Sequence, residues 1–249
     1  DDAIKKKRDA LRHPGFRSPT SYILWKMSQP EDDMSRLLIA FLGLLLGTTL
    51  TAQALETSLG PLEVTPQATG LDAPWGLAIL PDGGFLVTER GGDLWRVSAT
   101  GERRRVSGGP RVMAQGQGGL LDVMVPRDFA TSRDVYITFA KSQGRGAGTA
   151  LFRAQLDGDR LRNGETIFEI AEGSAGGRHF GSRVVEGQDG TLFLTVGDRG
   201  DRPSAQDRSN HNGSVLRLQR DGSVPNDNPF LGQANIQPEI WSYGHRNPQ

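Results

Sequence analysis

From Leu55 onward one hydrophobic pattern recurs: an apolar strand, a Gly/Asp/Pro turn, and a second strand that ends in a polar motif. Gly76 to Leu80, the turn Pro81-Asp82-Gly83-Gly84 and Phe85 to Glu89 form the first copy. Leu120 to Val125, a longer connection containing Pro126, and Asp134 to Phe139 form the second. Gly181 to Glu186, the turn Gly187-Gln188-Asp189-Gly190 and Thr191 to Val196 form the third. Further strand-like stretches follow each pair, such as Leu94 to Val97, Ala150 to Leu156 and Ser214 to Leu218. No segment sustains helical periodicity. Four short strands per unit, recurring with insertions, predict an all-β chain built as a β-propeller. Sandwiches and closed barrels also use short strands at regular spacing, but the recurrence of one hairpin type favours blades. At roughly 40 to 50 residues per blade, residues 55–249 hold about four, so the propeller is expected to be incomplete, with its C-terminal portion lying beyond Gln249.

The first 54 residues follow a different pattern. Met34 and Arg36 introduce an apolar run from Leu37 to Leu50, and Ala52 and Ala54 then stand at the −3 and −1 positions of a small-residue cleavage site. That is the layout of a signal peptide over residues 34–54, and its 14-residue apolar run is too short for a membrane span of roughly 20 residues. It predicts a mature chain starting at Leu55, exported to the periplasm or secreted, with no stable membrane insertion. Residues 1–33 carry Lys5, Lys6, Lys7 and Arg8 mixed with Asp1, Asp2 and Asp9, and are read as upstream or non-native sequence rather than a domain.

Composition narrows the function. The 29 Lys and Arg balance 29 Asp and Glu, which removes the broad attraction that nucleic-acid partners and polybasic membrane docking require. There is no Cys, so disulfides, thiol nucleophiles and Cys-based zinc sites are excluded. The 33 Gly and 14 Pro fit many short strands joined by turns.

Outside the leader the histidines are His179, His211 and His245. Taking Gly187 to Gly190 as the turn of the third hairpin places Asp198 directly across from His179, where opposed residues on one face are about 4.5 to 5.5 Å apart at Cβ. A carboxylate holding one imidazole nitrogen leaves the other free as a base; the same pair could also merely tie off the hairpin. No G-x-S-x-G elbow supplies a hydrolase nucleophile. Gly116-Gln117-Gly118-Gly119 lacks the following helix of a dinucleotide site and reads as a close backbone approach. Asp221 to Asn228 offers oxygen atoms without calcium-loop spacing, so turn chemistry is expected there. Arg199-Gly200-Asp201 spells an adhesion tripeptide and is read as coincidence.

Six motifs occur together and in order: Pro74-Trp75-Gly76-Leu77, Gly116 to Val123, His179-Phe180-Gly181-Ser182-Arg183, Val196-Gly197-Asp198, Asp227-Asn228-Pro229-Phe230 and Gly244-His245-Arg246-Asn247-Pro248-Gln249. In these the chain resembles the soluble aldose sugar dehydrogenases of the glucose/sorbosone dehydrogenase family, six-bladed propellers that use pyrroloquinoline quinone (PQQ) and calcium. The resemblance implies that His179 is the general base and Asp198 its orienting partner, that Gln117 lines the sugar site, and that Arg246 and Asn247 contact the cofactor. Arg246 would also stabilise negative charge developing on the quinone. The resemblance places the calcium ligands and remaining cofactor contacts beyond Gln249, so no metal ligand is assigned and this segment alone is expected to be inactive. Arg178 stands where a glucose-active relative has an acid, which removes any basis for a narrow glucose preference.

The leading expectation is therefore oxidation of a small aldose at its anomeric carbon to a lactone, with electrons passed through PQQ to an external acceptor. A calcium-dependent propeller lactonase would need carboxylates converging on the channel, where the motifs supply His and Arg. A non-catalytic binding propeller is the third reading, and His179 together with Arg246 argues against it.

Overall fold

The computed structural model describes residues 53–144 and 146–249. The expected leader and the segment before it lie outside these residues, except that Gln53 and Ala54 begin the first strand. That strand, β1 (Gln53–Thr57), pairs with β2 (Gly60–Val64) as a two-stranded sheet that belongs, up to Glu63, to the first of two units.

The second unit, Val64–Gln249, is an incomplete propeller of three four-stranded antiparallel blades, each with its strands in chain order. Blade 1 comprises β3 (Pro74–Ile79), β4 (Phe85–Glu89), β5 (Leu94–Val97) and β6 (Arg103–Val106). Blade 2 comprises β7 (Leu120–Met124), β8 (Asp134–Gln143), β9 (Gly146–Asp157) and β10 (Arg160–Glu169). Blade 3 comprises β11 (Val184–Glu186), β12 (Leu192–Val196), β13 (Ser214–Leu218) and β14 (Ile240–Tyr243). The Pro126 connection holds one short helix, α1 (Phe129–Ser132), and a 3₁₀ turn spans Arg202–Gln206. Together with the β1–β2 hairpin this makes four antiparallel sheets, three of them full blades, against the expected count of about four.

Alternating strand residues build the core between blades. Leu86 and Leu94 of blade 1 pack with Leu120, Val135 and Ile137 of blade 2; Tyr136 and Leu151 of blade 2 pack with Leu192, Leu194 and Leu216 of blade 3. The outward positions Leu77 and Ile79 of blade 1, and Val185, Trp241 and Tyr243 of blade 3, remain exposed.

The recurring hairpin signal has a common cause. The loops closed by Leu80 and Gly84, Ser98 and Glu102, Gly187 and Thr191, and Gln219 and Ser223 each hold three residues. The last of the three is a left-handed glycine: Gly83, Gly101, Gly190 and Gly222, with φ between 80° and 87°. This is the type I turn plus bulge that a three-residue hairpin favours, and a Cβ at those φ values would be strained. Asp82, Asp189 and Asp221 fix three of the loops by accepting the N–H two residues on.

The loop geometry corrects the register expected for the third hairpin. Gly187 pairs with Thr191 and Glu186 with Leu192, so the ladder runs one residue off the four-residue-turn alignment. A bulge then reverses the offset: Ser182 N–H donates to Thr195 O while Thr195 N–H donates to Arg183 O, so two residues oppose one. Beyond the bulge His179 again faces Asp198.

A second repeat, not anticipated from the sequence, couples the blades. The second strand of each blade carries a Thr whose hydroxyl accepts an N–H from the first-strand side and donates to a carbonyl of the next segment. Thr88 accepts from Gly76 and donates to Leu121 O; Thr138 accepts from Asp122 (2.8 Å) and donates to Ser182 O (2.7 Å); Thr195 accepts from Arg183 (2.8 Å) and donates to Pro248 O (2.8 Å). Thr138 and Ser182 are fully buried. Thr138→Val keeps the shape but leaves two buried backbone groups unpaired, so it is expected to cost about 1–3 kcal/mol. Equilibrium urea unfolding of the variant against wild type measures it.

Candidate active site at the inner end of blade 3

Three segments converge where the third hairpin begins. The loop 173–183 supplies His179, the turn after β12 supplies Asp198, and the chain after β14 supplies Arg246 and Asn247. The last segment is laced residue by residue to its surroundings. Gly244 N–H donates to Ala205 O and His245 N–H to Gly213 O. Arg246 O accepts from Asp198 N at 2.7 Å, and Asn247 Oδ1 accepts from Gly181 N at 3.0 Å. The strand continuation is thus held against the loops that carry the dyad.

His179 Nδ1 lies 2.6 Å from Asp198 Oδ1. Asp198 is buried, which by itself raises a carboxyl pKa. The hydrogen bonds from His179 and from Gly200 N–H, with the charges of His179 and Arg246, outweigh that effect and hold the carboxyl below its usual range. An ionised Asp198 only accepts, so the shared proton sits on Nδ1, and in the neutral form of the ring the lone pair is on Nε2. Among the described residues Nε2 has no hydrogen-bond partner. His179 also has a left-handed backbone, φ 54°, unusual for a residue with a side chain. Its N–H donates to Gln117 Oε1 at 2.7 Å, and Gln117 N–H in turn donates to Gly177 O.

Two cavities are lined by partners and chain neighbours of His179, which itself lines neither. One, of about 880 Å³, is lined by Asp198, Arg202, Gln206, His245 and Arg246. The other, of about 390 Å³, is lined by Trp75, Arg90, Gln117, Phe180 and Gly181. All five site residues expected from the sequence, Gln117, His179, Asp198, Arg246 and Asn247, therefore meet in one cluster. For two of them the structure shows a task in the backbone. The Gln117 and Asn247 side-chain carbonyls hold the backbone of His179 and Gly181, which leaves their amide N–H groups for other partners. Arg202 and Gln206 went unnoticed in the sequence, where a polar loop gives no sign of the wall it forms, and His245 was noted there without a role.

The other candidates resolve into structure. His211 is buried, accepts Ala171 N–H at Nδ1 and lies 3.1 Å from Glu239 at Nε2, tying loops together. In the Asp221 to Asn228 stretch, Asp221 closes a turn, Asp227 pairs with Arg217 at 2.7 Å, and Asn228 holds the carbonyls of Arg217 and Pro238. Turn chemistry thus accounts for Asp221, and an ion pair for Asp227. Among the described residues no group of three or more His, Asp or Glu is placed to hold a metal ion, and no helix is long and apolar enough to cross a membrane.

The all-β propeller thus carries an oriented His–Asp pair beside a cavity lined by arginines. The family description "Glucose / Sorbosone dehydrogenase" matches residues 71–249, and the chain belongs to that family. It is 43% identical over 185 residues to the aldose sugar dehydrogenase YliI of Escherichia coli, covering 72% of this chain and 50% of that protein. It is 28% identical over 210 residues to quinoprotein glucose dehydrogenase B of Acinetobacter calcoaceticus, covering 73% of this chain and 44% of that one. The PQQ-bound aldose sugar dehydrogenase of Streptomyces coelicolor superposes with a TM-score of 0.66 at 34% identity, over 79% of this chain and 56% of that structure. The chain spans about half the length of these relatives.

Proposed function

We propose that the full-length protein oxidises aldoses at the anomeric carbon to lactones, using PQQ and passing the electrons to an external acceptor. The observation that carries this reading is the His179–Asp198 pair, 2.6 Å apart, with its carboxylate in the wall of the cavity that Arg202 and Arg246 make cationic. PQQ is a planar tricarboxylate, and that donor set fits a polyanion. Arg246 and the free amide of Asn247 would hold it, and Gln117 would present its amide to the sugar. Bound there, PQQ would supply the two-electron acceptor for the hydride that leaves the anomeric carbon. His179 Nε2 takes the proton of the anomeric hydroxyl as that hydride departs, so the C–O bond becomes the lactone carbonyl. Asp198 keeps Nδ1 protonated and balances the imidazolium that forms. Arg246 offsets negative charge developing on the acceptor side of the cavity. Calcium belongs to the same proposal, with ligands outside the described residues, and so does export to the periplasm.

The test is steady-state sugar oxidation by the full-length protein reconstituted with PQQ and calcium, with a dye as acceptor. Asp198→Asn removes a charged hydrogen-bond partner worth about 1.5–3 kcal/mol, which corresponds to a loss of about 10- to 10²-fold in kcat. Wild-type protein that oxidises no aldose while hydrolysing lactones would replace this reading with the lactonase.

A further inference from the structure

Arg199 follows the dyad carboxylate and is 3% exposed. Among the described residues it meets no carboxylate at salt-bridge distance. Its Nη1 donates to Arg178 O at 2.6 Å and its Nη2 to Ala147 O at 3.2 Å, while Nε is buried without a partner. The guanidinium lies 3.4 Å from the centroid of the Phe180 ring. Burial lowers its pKa to about 10, opposed by the charge of Asp198, so it remains a cation at neutral pH. Burying an unpaired cation is expensive, and hydrophobic packing alone would be served by an apolar residue of the same size.

What the guanidinium grips gives the reason. Arg178 and Phe180 are the residues on either side of His179, which holds a left-handed φ of 54°. Such a conformation costs on the order of 1–3 kcal/mol and persists only where its surroundings over-determine it. Gln117 fixes the His179 N–H from one side. Arg199 fixes the carbonyl before it and the ring after it.

We propose that Arg199 is a positioning residue, a buried clamp on the backbone flanking His179 that keeps the imidazole on Asp198. The clamp rests on the reading of His179 as the base, but its primary test is independent of turnover. In full-length protein with ¹⁵N-labelled histidine, the hydrogen-bonded Nδ1 proton of His179 should appear at low field, assigned by its loss in His179→Gln. Arg199→Met should abolish or broaden that proton and lower kcat about 10²-fold, the scale of a 1 Å misplacement, with KM within about twofold. Arg199→Lys, which keeps the charge and can reach one carbonyl, should restore part of both. Should Arg199→Met fail to fold, Arg199→Lys and Phe180→Leu each weaken one arm of the clamp, and both should broaden the signal. An Nδ1 proton of unchanged position and exchange rate in Arg199→Met, or in both milder variants, with a lowered Tm alone, overturns the clamp. Near-wild-type kcat in His179→Gln overturns the base, and with it the catalytic purpose of the clamp.

Discussion

His179→Gln in the full-length protein is expected to lower kcat for aldose oxidation by about 10²- to 10⁴-fold, the usual contribution of a positioned general base. Glutamine is neutral, of similar reach, and able to hydrogen-bond Asp198 through its amide, so the buried carboxylate keeps a donor. What it lacks is a basic nitrogen where Nε2 stands. The sugar's hydroxyl proton then has no acceptor as the hydride leaves, and the loss falls on the chemical step. KM should move little, because an interaction made mainly in the transition state lowers kcat and kcat/KM together. Steady-state kinetics over a range of sugar concentrations separates the two parameters. A kcat within a few-fold of wild type removes His179 from the mechanism.

The hairpins were legible because their chemistry is local. A three-residue loop needs a left-handed third position, so Gly83, Gly101, Gly190 and Gly222 had to be glycines, and the aspartates just before three of them cap the turns. Register was less legible. The loop at Gly187–Thr191 is one residue longer than a two-residue turn, and the bulge at Ser182 and Arg183 cancels the difference. His179 meets Asp198 through two offsets of opposite sign. Neither was visible, since Ser182 adopts φ 76° without being a glycine.

The blade-coupling hydroxyls left a readable trace in Val87-Thr88-Glu89, Ile137-Thr138-Phe139 and Leu194-Thr195-Val196, at the same place in each second strand. Threonine is common in strands for its branched shape, and so its hydrogen-bonding role stayed hidden. Arg199 was hidden differently. Arginine in a Gly-rich loop reads as a surface residue, and the Arg-Gly-Asp spelling invites a surface explanation. Its burial depends on Phe180 and Ala147, which lie 19 and 52 positions away and reach it only once blade 2 packs on blade 3.

The sharpest steric test of the site lies at Gly197. Its backbone passes so close to the loop that a Cβ there would stand inside the van der Waals distance of His179 O, 2.5 Å from the His179 carbonyl carbon and 3.0 Å from its Cβ. These are backbone atoms and the root of a side chain, so no rotamer change relieves the clash. Either the turn carrying Asp198 or the loop carrying His179 must move. Both are tied down, the turn by the bond from Asp198 N to Arg246 O and the loop by Gln117 and Arg199. Gly197→Ala is therefore expected to cost about 1–3 kcal/mol of stability, the usual range for forced overpacking. It should also lower kcat about 10²-fold, because a shift of about 1 Å breaks the alignment of base and hydroxyl. Urea unfolding and steady-state oxidation on the same preparation check both effects. A variant with wild-type stability and turnover would mean that His179 and Gly197 are not packed together in the working protein, and the dyad would lose its structural basis.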